Sequence, residues 1–474
     1  MRLLVAGRTF SMRDQDHFAA LSGDRNPIHV DPLFARRTQA GAPVAHGMHA
    51  VLWALDELVR RGRFERPVAT LAVEFRRFIY LGDAATLFVV EADDARLRAE
   101  IVSAEAVATT IDLTFGVPAD APPGLAASAD SVEALPEGLR GFAGRTGSFP
   151  APAIDRSAFP YAAERLGPRA IATLAGLSYL IGMVCPGLHS LFSSFRLSLR
   201  PLAGDAVGDG AIVFGVTKID ARFSLVDLSI DGPGASGTVT AFVRPAPVVQ
   251  RAFREVAGLV GAAEFAGIRA LVVGGSRGLG AATARIVAAG GGRVTITYAA
   301  GEAEARELAA EIGPDRCEVL RYDIRDEAGS QLESVRGPID QLYYFASAHI
   351  HRQRSGPFVE PLFAEFCTFY IRGFVQTWSA LRERAGTLRT FYPSSLAVAE
   401  RPRNMTEYAM AKAAGEVLCA DLHRSSPATP ILVERLGRVL TDQTATVIPV
   451  HSLDAVDVML PLVRKLHTLP VRGV

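Results

Sequence analysis

Two periodicities divide the chain. Over residues 69–117 apolar and polar positions alternate with period two in four runs, ATLAVEFRRFIYLGD, ATLFVVEAD, ARLRAEIVSA and AVATTIDLTFG. That alternation predicts half-buried antiparallel strands. Ahead of them Val51, Leu52, Leu55 and Leu58 recur at helical spacing, in a helix starting near His46-Gly47. A Pro/Ala-rich break runs from Pro118 to about Gly138, and then the plan repeats. A helical stretch over Arg169 to Met183 precedes the strand-like runs LFSSFRLSLR, AIVFGVTKID, RFSLVDLSI and ASGTVTAFVRP. After a Pro-containing link at Arg244, short apolar runs alternate with helical patterns from about Ile268. Alternation of that kind is the signature of a doubly wound parallel sheet. Three domains are expected, at 1–125, 138–250 and 262–474.

Composition narrows the class of protein. A length of 474 residues suits three domains on a prior of ~150 residues each. Lys+Arg and Asp+Glu are equal at 50 each, so neither a nucleic acid nor an anionic membrane is an expected partner. The four cysteines show no metal-ligand spacing, and no metal site is expected. No apolar run reaches the ~20 residues needed to cross a bilayer. The opening MRLLVAGRTFSMRDQDHF lacks the apolar core of a signal peptide, and the cytoplasm is the expected compartment.

The first candidate chemistry lies in Ser22-Gly23-Asp24-Arg25-Asn26-Pro27-Ile28-His29, followed by Pro43-Val44-Ala45-His46-Gly47-Met48. Taken alone, Asp-x-Asn-Pro forms a turn for local reasons. The stretch resembles the R-specific enoyl-CoA hydratase (MaoC-like) family of hotdog folds, which implies hydration of an α,β-unsaturated thioester. That reaction needs one proton removed and one delivered, which a carboxylate and an imidazole holding one water can do. Charge on the thioester oxygen would be met by a backbone N–H at a helix N-terminus, with Gly47 the donor. The resemblance implies an Asp24/His29 dyad, Asn26 and His46 beside the substrate, and a helix wrapped by antiparallel sheet. Residues 138–250 carry no second Asp-x-Asn-Pro-x-His. They look like a degenerate hotdog that shapes the tunnel, making a double hotdog.

In the third unit the strand Ala270–Val273 runs into Gly274-Gly275-Ser276-Arg277-Gly278-Leu279-Gly280 and then a helix. Glycines let the backbone approach a pyrophosphate, which the helix N-terminus binds. Farther on, Asp323-Ile324 places an acid that can bind adenine. Tyr408 and Lys412, four residues apart on a helix, face the same way. The lysine can lower the phenol pKa from its reference of ~10, and Ser395 can bond the substrate carbonyl. Together these motifs resemble the short-chain dehydrogenase/reductase family over Ile268 to Thr441. The resemblance implies catalysis by Ser395, Tyr408 and Lys412. Cofactor contacts would come from Gly274, Ser276, Arg277, Gly278, Leu279, Gly280, Asp323, Ile324, Ala346 and Thr441, joined by Tyr408 and Lys412. Three positions depart from the family. Tyr344-Phe345-Ala346-Ser347 replaces Asn-Asn-Ala-Gly, and Leu436-Gly437 replaces Pro-Gly. Tyr370 stands where relatives place a water-relaying Asn, which makes it a candidate substrate contact. Arg277, with no acid after Thr297, favours NADP over NAD.

The two chemistries share a 3-hydroxyacyl thioester, and joining them raises its local concentration. The expected function is NADPH-dependent reduction of 3-oxoacyl thioesters coupled to dehydration, on acyl-CoA or acyl carrier protein substrates, in a homo-oligomer. Two alternatives stay open: the oxidative direction, and one half acting as a non-catalytic thioester-binding scaffold.

Overall fold

A computed structural model describes residues 2–117, 137–155, 157–200, 210–350, 358–446 and 450–471. The Pro/Ala-rich break at 118–136 lies outside the described residues. The chain forms two compact units, one mainly of residues 1–246 and the other mainly of the residues from 247 on.

The first unit is one antiparallel sheet of ten strands: β1 (Leu3–Thr9), β2 (Val68–Phe75), β3 (Ala84–Ala92), β4 (Arg96–Ser103), β5 (Ala106–Phe115), β6 (Thr146–Pro150), β7 (Ser190–Leu199), β8 (Ala211–Asp220), β9 (Leu225–Asp231) and β10 (Ala235–Val243). Their spatial order is β1-β3-β4-β5-β2-β7-β10-β9-β8-β6. The second five repeat the first five in reverse, so the halves are related as a pseudo-dimer. The seam is the antiparallel pair β2/β7, from Thr70↔Ser198 to Glu74↔Ser194. Each half wraps a helix, Gly47–Arg60 in one and Pro168–Tyr179 in the other. Every residue from Met48 to Leu55 is buried, because sheet and partner helices cover all sides. Full burial of a side chain such as Leu52 or Leu55 stabilises by about 1.5–3 kcal/mol. This is a double hotdog. The edge strands β1 and β6 are additions to the sequence-based expectation. The short β6, TGSFP, carries Gly and Pro and has no residue fully buried, so its pattern is weak.

The second unit is a parallel sheet of β11 (Arg269–Val273), β12 (Arg293–Tyr298), β13 (Cys317–Arg321), β14 (Gln341–Tyr344), β15 (Arg389–Ser395) and β16 (Ile431–Leu436). The order is β13-β12-β11-β14-β15-β16, a Rossmann-type doubly wound sheet whose strand order reverses between β11 and β14. Ala270 to Val273 and Gln341 to Tyr344 are buried throughout, as strands covered on both faces must be. Among the described residues no single helix is long and apolar enough to cross a membrane.

Candidate active sites

In the first unit local structure places the acid and the imidazole. The helix Met12–Ser22 ends at Gly23, whose φ of 82° turns the chain into Asp24. The Asn26 side chain accepts from Ile28 N (3.3 Å), and Pro27 opens the short helix Pro27–Val30 that carries His29. Asp24 is 2% exposed. Its Oδ1 accepts from Asn26 N (3.0 Å) and its Oδ2 from Ser178 Oγ (2.6 Å). His29 Nδ1 lies 2.8 Å from the Val44 carbonyl and donates to it, which leaves Nε2 as the basic nitrogen. Burial raises the Asp24 pKa and lowers that of His29, while their mutual attraction opposes both shifts.

A cavity of about 200 Å³ opens over this pair, lined by Asp24, His29, Gly47, Phe75, Ser178 and Phe192 among others. Gly47 is the first residue of its helix, whose N-terminus has no side-chain cap, so its N–H groups are open to a developing negative charge. A Cβ at Gly47 would lie 2.8 Å from the Phe75 ring. Asn26 reaches across to the Gly182 (3.1 Å) and Leu188 (3.4 Å) carbonyls. His46 is placed behind the dyad, 0% exposed, with its ring stacked 3.9 Å from that of His29. Its Nδ1 lies 2.9 Å from Gln15 Oε1 and its Nε2 3.0 Å from the Asp24 carbonyl. Burial pushes its pKa well down. Candidate ligand atoms of Asp24, His29 and His46 lie within 4.8 Å of one another. With both His46 nitrogens engaged, only two of the three groups keep an open position, fewer than the three or four protein ligands of a zinc site.

The second half takes part in this site, where the sequence reading gave it none of the chemistry. Its helix ends in a π-helical turn, Leu180–Val184, that presses Gly182 against the acid. A Cβ at Gly182 would lie 2.3 Å from Asp24 Oδ1. Ser178 and Gly182 carry no local signal, being more than 150 residues from Asp24. The Ser178 hydroxyl holds down the Asp24 pKa that burial raises. Ser178→Ala is therefore expected to move the acid limb of the hydration pH–rate profile upward by about one unit and to slow the reaction about tenfold, the scale of a hydrogen bond to a charged group. Steady-state rates across pH check both.

In the second unit the Gly-rich turn is shaped by close approach. Gly274 has φ of 74°, and a Cβ at Gly280 would lie 2.2 Å from the Gly274 carbonyl, so the helix Gly278–Ala289 packs directly on β11. Gly274 N donates to Thr297 Oγ1 (3.1 Å). Leu279 packs into the core, and Ser276 lies in the turn. Arg277 precedes the helix without capping it by its side chain, and its guanidinium lies 3.5 Å from Asp442. Thr441 faces Gly278, its Cγ2 3.7 Å from where a Cβ would stand. This cradle at an open helix N-terminus fits a dinucleotide pyrophosphate. Ala346 follows β14. The Asp323 carboxylate accepts from Arg325 N (3.0 Å), Nε (2.9 Å) and Nη2 (2.5 Å), which keeps its pKa low, and Ile324 is buried beside it.

Ser395 ends β15, and Tyr408 and Lys412 share one side of the helix Thr406–Ser425. Lys412 is 5% exposed and donates to the Pro393 carbonyl (2.6 Å). Burial raises the Tyr408 phenol, a bond with Ser395 opposing it, and pushes Lys412 down to about 7. The geometry thus departs from the expected lowering of the phenol by the ammonium. Nζ lies 6.0 Å from the Tyr408 ring centre but 3.9 Å from that of Tyr370. Tyr370 is 1% exposed, and its hydroxyl bonds Ser347 Oγ (2.7 Å).

Known families match a part of each unit. Residues 2–112 match the family described as MaoC like domain, and residues 269–448 match short chain dehydrogenase. The chain joins a MaoC-like domain to a short-chain dehydrogenase domain. It is 33% identical over 92 residues to a 3-hydroxybutyryl-CoA dehydratase of Methylorubrum extorquens, covering 19% of this chain and 57% of that protein. Over 41 residues it is 46% identical to an (R)-specific enoyl-CoA hydratase of Aeromonas caviae, covering 9% of this chain and 31% of that protein. The matches thus span little more than half of one relative and about a third of the other. Among solved structures, a blue fluorescent protein from a metagenomic library, in complex with NADPH, is 23% identical with a TM-score of 0.40, covering 43% of this chain and 91% of that one.

Proposed function

We propose that the MaoC-like domain hydrates and dehydrates enoyl and 3-hydroxyacyl thioesters and that the dehydrogenase domain reduces 3-oxoacyl thioesters with NADPH. The observation that carries this reading is the buried Asp24 and half-buried His29, which together line a cavity that also holds the open helix terminus at Gly47. Asp24 and His29 Nε2 hold one water between them. In hydration the water gives up a proton as its oxygen bonds C3, and C2 receives a proton from the same pair. Gly47 N–H carries the charge that builds on the thioester oxygen. In the dehydrogenase domain a bound NADPH would supply hydride. Tyr408 gives its phenolic proton to the carbonyl oxygen, which Ser395 holds by hydrogen bond. The test is NADPH oxidation with 3-oxoacyl-CoA and acyl-carrier-protein substrates of graded length, with products identified by mass spectrometry. The reading requires both hydroxyacyl and enoyl products. NADPH consumption with neither product overturns it.

The choice of NADPH rests on charge. β12 ends at Tyr298 and continues as Ala299-Ala300 without an acid at those positions; the next carboxylate, Glu302, is paired with Arg306, and Arg321 pairs in register with Tyr298. Arg277 adds a cation at the Gly-rich turn. NADPH is expected to bind more tightly than NADH, and Arg277→Ala to erode the difference, as read by nucleotide fluorescence titration. Equal affinities in the unmodified protein would sink this preference.

A further inference from the structure

Lys412 is the only buried one of just three lysines among 50 cationic side chains, Lys218 and Lys465 being exposed. A buried ammonium is costly unless something replaces its water. An ammonium has three N–H donors, and one goes to the Pro393 carbonyl. Three tyrosine rings stand around the ammonium. Nζ stands 3.9 Å above the centre of the Tyr370 ring, 5.1 Å from Tyr392 on β15 and 6.0 Å from Tyr408 on its own helix. The other titratable groups acting on Lys412 are Cys419 and Glu416 of the same helix. The Glu416 carboxylate is itself taken up by Ser394 and Arg435.

The Tyr370 ring is held by its neighbours. It belongs to the π-helical turn Thr368–Arg372, stacks on Phe366 at 5.7 Å, and its carbonyl accepts from the Tyr392 hydroxyl (3.0 Å). Its own hydroxyl points away from Lys412 to Ser347, which passes a hydrogen bond on to the Ala348 carbonyl (2.8 Å). The ring face, not the hydroxyl, is therefore what meets the ammonium. The ring quadrupole attracts a cation, and more strongly in a desolvated site.

We propose that Tyr370 is a positioning residue whose ring face keeps the Lys412 ammonium charged and in place, where reductase relatives place a water-relaying amide. The consequence for turnover rests on the reductase reading above, whereas the hold on Lys412 does not. With only three lysines, ¹³Cε-lysine labelling lets Lys412 be titrated by NMR in the full chain without any turnover. Tyr370→Leu and Tyr370→Met, both without a ring, are expected to lower the Lys412 pKa by about one unit, a tenfold change. Tyr370→Phe keeps the face and is expected to leave that pKa within a few tenths of the unmodified protein. The alkaline limb of kcat for 3-oxoacyl reduction should move down by the same step in the ring-free variants. An unchanged Lys412 pKa in both ring-free variants overturns the proposal, and so does an equal fall in Tyr370→Phe. If the unmodified protein reduces no thioester, the reductase reading fails while the NMR titration still decides the role of Tyr370.

Discussion

Asp24→Asn and His29→Ala are each expected to slow hydration of an enoyl thioester by about 10²-fold or more, the scale of losing a general acid or base. The asparagine is close to isosteric and can keep both partners of the carboxylate. Its amide oxygen can accept from Asn26 N, and its NH₂ can donate to Ser178 Oγ, which accepts as readily as it donates. What it removes is the capacity to take and return a proton. His29→Ala removes the nitrogen that the Val44 contact leaves basic. Reduction of 3-oxoacyl substrates by the same preparations serves as the control for folding, since Ser395, Tyr408 and Lys412 belong to the other unit. Hydration near the unmodified rate in both variants would remove the dyad from the mechanism.

Tyr408→Phe is expected to reduce 3-oxoacyl turnover by about 10²–10⁴-fold while NADPH still binds. The ring meets Phe366 and Tyr370 edge to face, both at 5.7 Å, and phenylalanine preserves those contacts. Only the hydroxyl is lost, and with it the proton that must reach the carbonyl oxygen. Because burial raises the phenol pKa, Tyr408 is protonated at neutral pH, as a proton donor for reduction must be. Fluorescence titration of NADPH alongside steady-state rates separates binding from chemistry. Substantial turnover in the phenylalanine variant would exclude Tyr408 as the donor.

The parts of these sites legible in the sequence are those built over short spans. Gly23 to His29 is a self-contained turn and helix start, the helix at Gly47 announces itself by apolar spacing, and the glycines from 274 to 280 pack against their own strand. What escaped was assembled across the chain. Ser178 meets Asp24 across 154 residues and Gln15 meets His46 across 31, and neither serine nor glutamine advertises such a partner. The reach of Lys412 is illegible in the sequence for a related reason. Helical spacing puts it on the side of Tyr408, but the π-helical turn brings Tyr370 closer to Nζ.

The seam between β2 and β7 also matters while the protein is being made. β2 is an interior strand, held by β5 on one side and by β7 on the other. It ends at Phe75, and β7 begins only at Ser190. At ~5–20 residues per second the ribosome needs on the order of ten seconds to deliver the second partner. Throughout that interval a strand of eight residues, VATLAVEF, presents an unpaired edge. Open apolar edges of this kind invite pairing with other chains. The nascent first half is thus exposed to aggregation during synthesis, and chaperone demand is expected before the second half emerges.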